Sequence, residues 1–170
     1  FETIGIIRGD ELASLPQNKL SPTLKYAISC GMKLYFVSRE EYRQKESEEF
    51  IKDLHDDFGD FYLIPEGGTN DLAIKGCEEI LTASDKDFNF ICSSVGTGGT
   101  LAGLINSSGE DQKVLGFSSL RSDYLINEVS ELVDRTNWEI ILNYHFGGYA
   151  KVNSQLINFM NDFSKKYKII

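Results

Sequence analysis

Phe90-Ile91-Cys92-Ser93-Ser94-Val95-Gly96-Thr97-Gly98-Gly99-Thr100-Leu101-Ala102-Gly103-Leu104-Ile105 is the stretch on which the reading of this chain turns. An apolar run leads into three glycines within four positions and then into a helix-like segment. Glycines at such a turn let the backbone approach an anion closely. A helix that starts directly afterwards aims its unpaired N–H groups and the positive end of its dipole at the same point. The stretch predicts a phosphate cradle between a strand and a helix.

The spacing separates this loop from commoner phosphate loops. A dinucleotide fingerprint needs glycine at positions 96, 98 and 101, and position 101 is leucine; a Walker A loop needs Gly-Lys-Ser/Thr, which does not occur. Taken alone, the motif also fits a tight strand-to-helix connection with no ligand.

Two further motifs flank it: Leu63-Ile64-Pro65-Glu66-Gly67-Gly68-Thr69-Asn70 and Asn143-Tyr144-His145-Phe146-Gly147-Gly148-Tyr149. In this order and spacing the three resemble the pyridoxal-phosphate (PLP) enzymes of the tryptophan-synthase-β type, and most closely the 1-aminocyclopropane-1-carboxylate deaminase and D-cysteine desulfhydrase family. The resemblance runs over essentially the whole chain. It implies an α/β fold, the two-domain, three-layer αβα architecture of fold type II PLP enzymes. Residues 1–58 would belong to the smaller α/β domain and residues 59–170 to the larger, phosphate-binding one. It also implies that this is the central portion of a longer enzyme, truncated at both ends. The family's cofactor-bearing lysine, in a Gly-Asn-Lys context followed by Ser-Asn-His, would lie upstream of Phe1. An Asp-Pro-x-Tyr-(Thr/Glu)-Gly-Lys segment would follow Ile170.

Site residues carry over motif by motif. Gly96, Thr97, Gly98, Gly99 and Thr100 are expected to hold the cofactor phosphate through backbone N–H groups, with a hydroxyl from Thr97 or Thr100 as an added donor. Tyr149 matches an active-site tyrosine of the family, where a phenol serves proton transfer or substrate orientation. Gly68, Thr69 and Asn70 would border the substrate carboxylate, while the plain reading of Thr69 or Asn70 is the N-cap of the helix that follows. Lys75 and Lys151 fall inside motifs, but neither matches the cofactor-bearing lysine. For the intact enzyme the resemblance implies PLP, a small amino-acid substrate and a homodimer. The reaction is either opening of the 1-aminocyclopropane-1-carboxylate ring to 2-oxobutanoate and ammonia, or β-elimination from D-cysteine to sulfide, pyruvate and ammonia. The alternative is a catalytically inert fragment that holds PLP or phosphate, and a nicotinamide-binding domain is disfavoured by Leu101.

Composition agrees with a small-molecule enzyme. The 170 residues are 41% hydrophobic and 25% charged, an ordinary globular mix, and the formal charge of −9 argues against a nucleic-acid backbone or an anionic membrane as partner. Cys30, Cys77 and Cys92 are an odd count without paired spacing; they read as reduced thiols in a cytoplasmic protein, two of them as small buried hydrophobes. No apolar run approaches the roughly 18 residues of a membrane span. His55 and His145 lie ninety positions apart, so no two-histidine zinc motif exists and no metal is expected.

Strands are predicted at Thr3–Ile7, Lys33–Val37, Phe61–Ile64, Asn89–Ser93, Val114–Phe117 and Trp138–Leu142. Ser21-Pro22 opens a helix that Gly31 closes, and Ser38 with Glu41 forms a capping box. From Glu46 to Asp60 the chain is strongly acidic, while Phe50, Ile51, Leu54 and Phe58 keep helical spacing: a solvated helix face in the plain reading, a divalent-cation site in the sharper one. Apolar edges are expected to make the 170 residues poorly soluble alone.

Overall fold

In the computed structural model, which describes residues 2–120 and 123–169, the chain divides into two compact units between Tyr62 and Leu63. In the first unit, strands β1 (Ile4–Arg8) and β2 (Lys33–Val37) pair in parallel, from Ile4 opposite Lys33 to Arg8 opposite Val37. Helix α1 (Pro22–Ser29) makes the crossover. Its ends are set by local chemistry. The Ser21 hydroxyl accepts the Leu24 N–H, Pro22 takes the first turn where no N–H is needed, and Gly31 at φ +90° turns the chain out.

Helix α2 (Arg39–Arg43) opens with the expected capping box, the Ser38 hydroxyl accepting the Glu41 N–H at 3.1 Å and the Glu41 carboxylate accepting the Ser38 N–H at 2.7 Å. Helix α3 (Glu48–Phe58) turns Leu54 fully inward with Phe50, Ile51 and Phe58 half-buried, and leaves its carboxylates outside. The Tyr35 hydroxyl donates to Asp57 at 2.8 Å, and Tyr35 packs edge-on against Phe58. The acidic stretch is therefore the solvent face of an amphipathic helix. Among the described residues no three His, Cys, Asp or Glu side chains gather as a metal site.

The second unit carries the parallel sheet β3 (Phe90–Val95), β4 (Lys113–Ser118) and β5 (Trp138–Ile141), in that order. Helix α4 (Asp71–Cys77) precedes the sheet, α5 (Gly99–Ser107) joins β3 to β4, α6 (Tyr124–Leu132) joins β4 to β5, and α7 (Ser154–Tyr167) follows. Sequential parallel strands with helical crossovers are the α/β pattern read from the sequence. The core is one cluster: Val95, Val114 and Ile140 from the strands, Leu101, Leu104 and Ile105 from α5, and Leu125 and Val129 from α6. Both crossover helices thus cover the same face. On the opposite face Phe90 is 59% exposed and Cys92 is also open to solvent.

A polar network closes the amino end of this sheet. Gln112 is buried; its amide donates to the Asp85 and Phe88 carbonyls, and its oxygen accepts the Gly109 N–H. The Arg135 guanidinium donates to the Ser108 carbonyl at 2.8 Å, satisfying the end of α5. Two expectations are corrected. Phe61–Ile64 is not a strand: Tyr62, Leu63 and Ile64 are exposed, and among the described residues no ladder includes this segment, because β-prone side chains make a strand only where another strand pairs with them. The cysteines are not buried hydrophobes: Cys30 and Cys92 are exposed and Cys77 is half-buried.

Candidate functional site

The site lies in the second unit, at the carboxyl end of β3. Parallel α/β sheets leave their crevices there, where strands give way to loops and helix N-termini. After the buried Val95 the chain enters Gly96-Thr97-Gly98 and turns into α5 at Gly98, whose φ of +91° is the left-handed conformation that favours glycine. The helical ladder begins with the Ala102 N–H donating to the Gly98 carbonyl at 2.8 Å. The N–H groups of Gly99, Thr100 and Leu101 are thereby left outside the ladder, and the N-cap, a glycine, has no side chain to cap them.

These groups border a pocket of about 450 Å³ whose lining comes from the Ser94–Leu101 turn, the Gly67–Thr69 loop and two side chains of α4, Ala73 and Cys77. Among the described residues, no charged side chain lines it. An anion held there would meet the helix end and N–H and hydroxyl donors, an arrangement suited to a phosphate. The floor is rigid. Leu101 is 1% exposed, and a Cβ on Gly116 would come within 2.7 Å of it, so the position that a dinucleotide fold gives to glycine is filled here by a leucine packed on β4.

Of the residues expected from sequence, Gly96 to Thr100 and Gly68 and Thr69 all line the pocket. Asn70 does not; its side chain accepts the Ala73 N–H at 2.9 Å as the N-cap of α4. Tyr149 stands apart from the pocket lining as well, 75% exposed in a loop where Phe146, Gly147, Gly148 and Ala150 all have positive φ. His145 holds that loop together: its Nδ1 accepts the Gly147 N–H at 2.9 Å and its carbonyl accepts the Gly148 N–H at 2.9 Å.

Comparison with known proteins places the chain. It is 30% identical to a protein of Thermotoga maritima over 84% of this chain and 53% of that protein. It is 28% identical to a protein of Pyrococcus horikoshii over 100% of this chain and 56% of that protein. Both are named "Putative 1-aminocyclopropane-1-carboxylate deaminase". The chain is thus similar to proteins that carry the 1-aminocyclopropane-1-carboxylate deaminase name, as its resemblance to that family implies. It spans about half the length of these curated relatives. No protein-family model matches it.

Within that family frame, the pocket contains residues that sequence reasoning passed over. Gly67 belongs to its wall: at φ +77°, a Cβ there would lie 2.5 Å from the Thr97 methyl. Cys77 reaches the wall from α4, with its Sγ 3.9 Å from the Thr100 hydroxyl. The crossing of α4 over α5 brings Cys77 to the pocket. The cofactor that the family resemblance implies is PLP. Its phosphate end fits: Gly96 and Gly68 line the pocket with no atom within 4 Å of where a Cβ would stand, and Gly99, Thr100 and Leu101, the first residues of α5, line the same space. Its covalent anchor is not among the lining residues, which include no lysine.

Proposed function

We propose that this chain supplies the phosphate-binding part of a PLP-dependent enzyme of fold type II that acts on a small amino acid, most like 1-aminocyclopropane-1-carboxylate deaminase or D-cysteine desulfhydrase. The observation that carries the reading is the N-terminus of α5, opening into a pocket walled by two glycine-rich loops, in a chain whose relatives bear the deaminase name. The same reading takes the intact protein as a cytoplasmic homodimer.

In this mechanism the N–H groups of Gly99, Thr100 and Leu101 bind the phosphate, with the hydroxyls of Thr97 and Thr100 as side-chain donors. Burial of Gly98 and Gly99 in the turn keeps the donors fixed, so no ordering is required when the anion arrives. When bound, PLP supplies the electron sink for the bond that breaks beside the substrate amine. Gly68 lies on the pocket wall where a substrate carboxylate would approach. Tyr149 enters as the proton-transfer residue on the strength of its motif.

The test is product analysis of the intact, PLP-loaded protein. The reading expects 2-oxobutanoate and ammonia from 1-aminocyclopropane-1-carboxylate, or pyruvate, sulfide and ammonia from D-cysteine. Absence of both activities in a protein that holds PLP would overturn the substrate assignment, and failure to hold PLP would overturn the enzyme class.

A further inference from the structure

We infer that Thr69 is a positioning residue of the phosphate cradle, acting through Thr97 rather than by touching substrate; the inference rests on the phosphate-binding reading of the pocket. Two loops that lie 28 positions apart in sequence meet here, and the Thr69 and Thr97 hydroxyl oxygens are 2.7 Å apart, in hydrogen-bond contact. The fit is reciprocal. Gly99 of one loop leaves room for Thr69 of the other, since a Cβ at Gly99 would stand 2.8 Å from the Thr69 hydroxyl and 3.2 Å from its methyl. Gly67 leaves room for Thr97, whose hydroxyl would be 2.6 Å from a Cβ there. Each loop thus lends a glycine to the threonine of the other.

The hydroxyl pair has a direction that an anion would select. A threonine hydroxyl carries one proton and accepts through its lone pairs, so either member of the pair can be the donor. When Thr69 donates to Thr97, the Thr97 proton is left free to point at an acceptor in the pocket that both residues line. A phosphate oxygen there favours that direction, and a hydroxyl already accepting one hydrogen bond is a better donor in the next. Thr69 is itself held from behind, because the next residue, Asn70, caps α4, and α4 packs closely on α5.

The experiment measures binding of inorganic phosphate, PLP and pyridoxal to the intact protein, to its Thr69→Val, Thr69→Ser and Thr97→Val variants and to the double variant Thr69→Val with Thr97→Val, with thermal unfolding recorded for each. Valine keeps the shape of threonine and removes the hydroxyl. The expected result is that Thr69→Val weakens phosphate and PLP by about tenfold, the scale of one hydrogen bond in a network ending on a charged group. Pyridoxal, which has no phosphate, keeps its affinity. Thr69→Ser restores binding, and Thr69→Val adds little on top of Thr97→Val. Unchanged phosphate affinity in Thr69→Val, equal weakening of pyridoxal, or additive losses in the double variant would overturn the inference. Should Thr69→Val not fold, Thr69→Ser with Thr97→Val decides, and failure of serine to bind phosphate as threonine does counts against it. An unsubstituted protein that binds neither phosphate nor PLP would instead overturn the reading of the pocket itself.

Discussion

Cys77 and Gly103 meet where α4 crosses α5: a Cβ on Gly103 would overlap that of Cys77 and sit 2.7 Å from the Ile74 carbonyl oxygen. The glycine is what lets the two helices approach closely enough for α4 to form a wall of the pocket.

Gly103→Ala is therefore expected to destabilise the second unit even though alanine is the better helix former. The propensity gain is about 1 kcal/mol, whereas overpacking a close helix crossing costs roughly 1–3 kcal/mol and displaces backbone as well as side chain. Denaturant midpoints of the two proteins check this; a more stable alanine variant would show that α4 yields without cost.

Gly98→Ala should damage both stability and anion binding. The position has φ +91°, and a Cβ would stand 2.8 Å from a methyl of the buried Val129, so left-handed strain and overlap add. A loss of roughly 1–3 kcal/mol in unfolding free energy is expected. Phosphate affinity, measured by titration under conditions where the variant stays folded, should fall at least tenfold, because the loop shifts to relieve the clash.

The capping box of α2 predicts an acid limb. Hydrogen bonds from the Ser38 hydroxyl and the Ser38 N–H hold the Glu41 carboxyl below its ordinary value of 4.5. A lowered folded-state value means that the contribution is fully present above about 4.5 and is lost as pH falls through the lower value. The melting temperature of the parent should exceed that of Glu41→Gln at neutral pH, and the two should converge in acid. A gap that persists at low pH would show that the carboxylate is not its source.

Exposed apolar groups predict association of the 170 residues on their own. Phe90 lies open on the sheet, and Phe159 and Met160 lie open on α7. Concentration-dependent sedimentation or binding of a hydrophobic dye is expected, and a monomeric sample with a sharp cooperative melt would contradict it.

What could be read along the chain was what local chemistry decides. The run from Phe90 to Ile105, the Ser21-Pro22 start of α1 and the Ser38–Glu41 box each depend on neighbours within a few residues, and each formed as read. The errors lie where a distant partner decides. Phe61–Ile64 has strand-forming side chains but, among the described residues, no strand beside it, and Cys77 lies at a helix crossing that brings it to the pocket. The contact between Thr69 and Thr97 spans 28 positions, and nothing in either motif alone announces the other. Asn70, in the same motif, took the capping role instead.

The most direct measurement for the central claim is the ratio of affinities for PLP and pyridoxal, determined by equilibrium titration of the intact protein and of Gly98→Ala. If the Gly96–Thr100 turn holds the phosphate, PLP binds far more tightly than pyridoxal and the ratio collapses in the variant. Equal affinities in the unsubstituted protein would mean that the turn is only a tight connection between a strand and a helix.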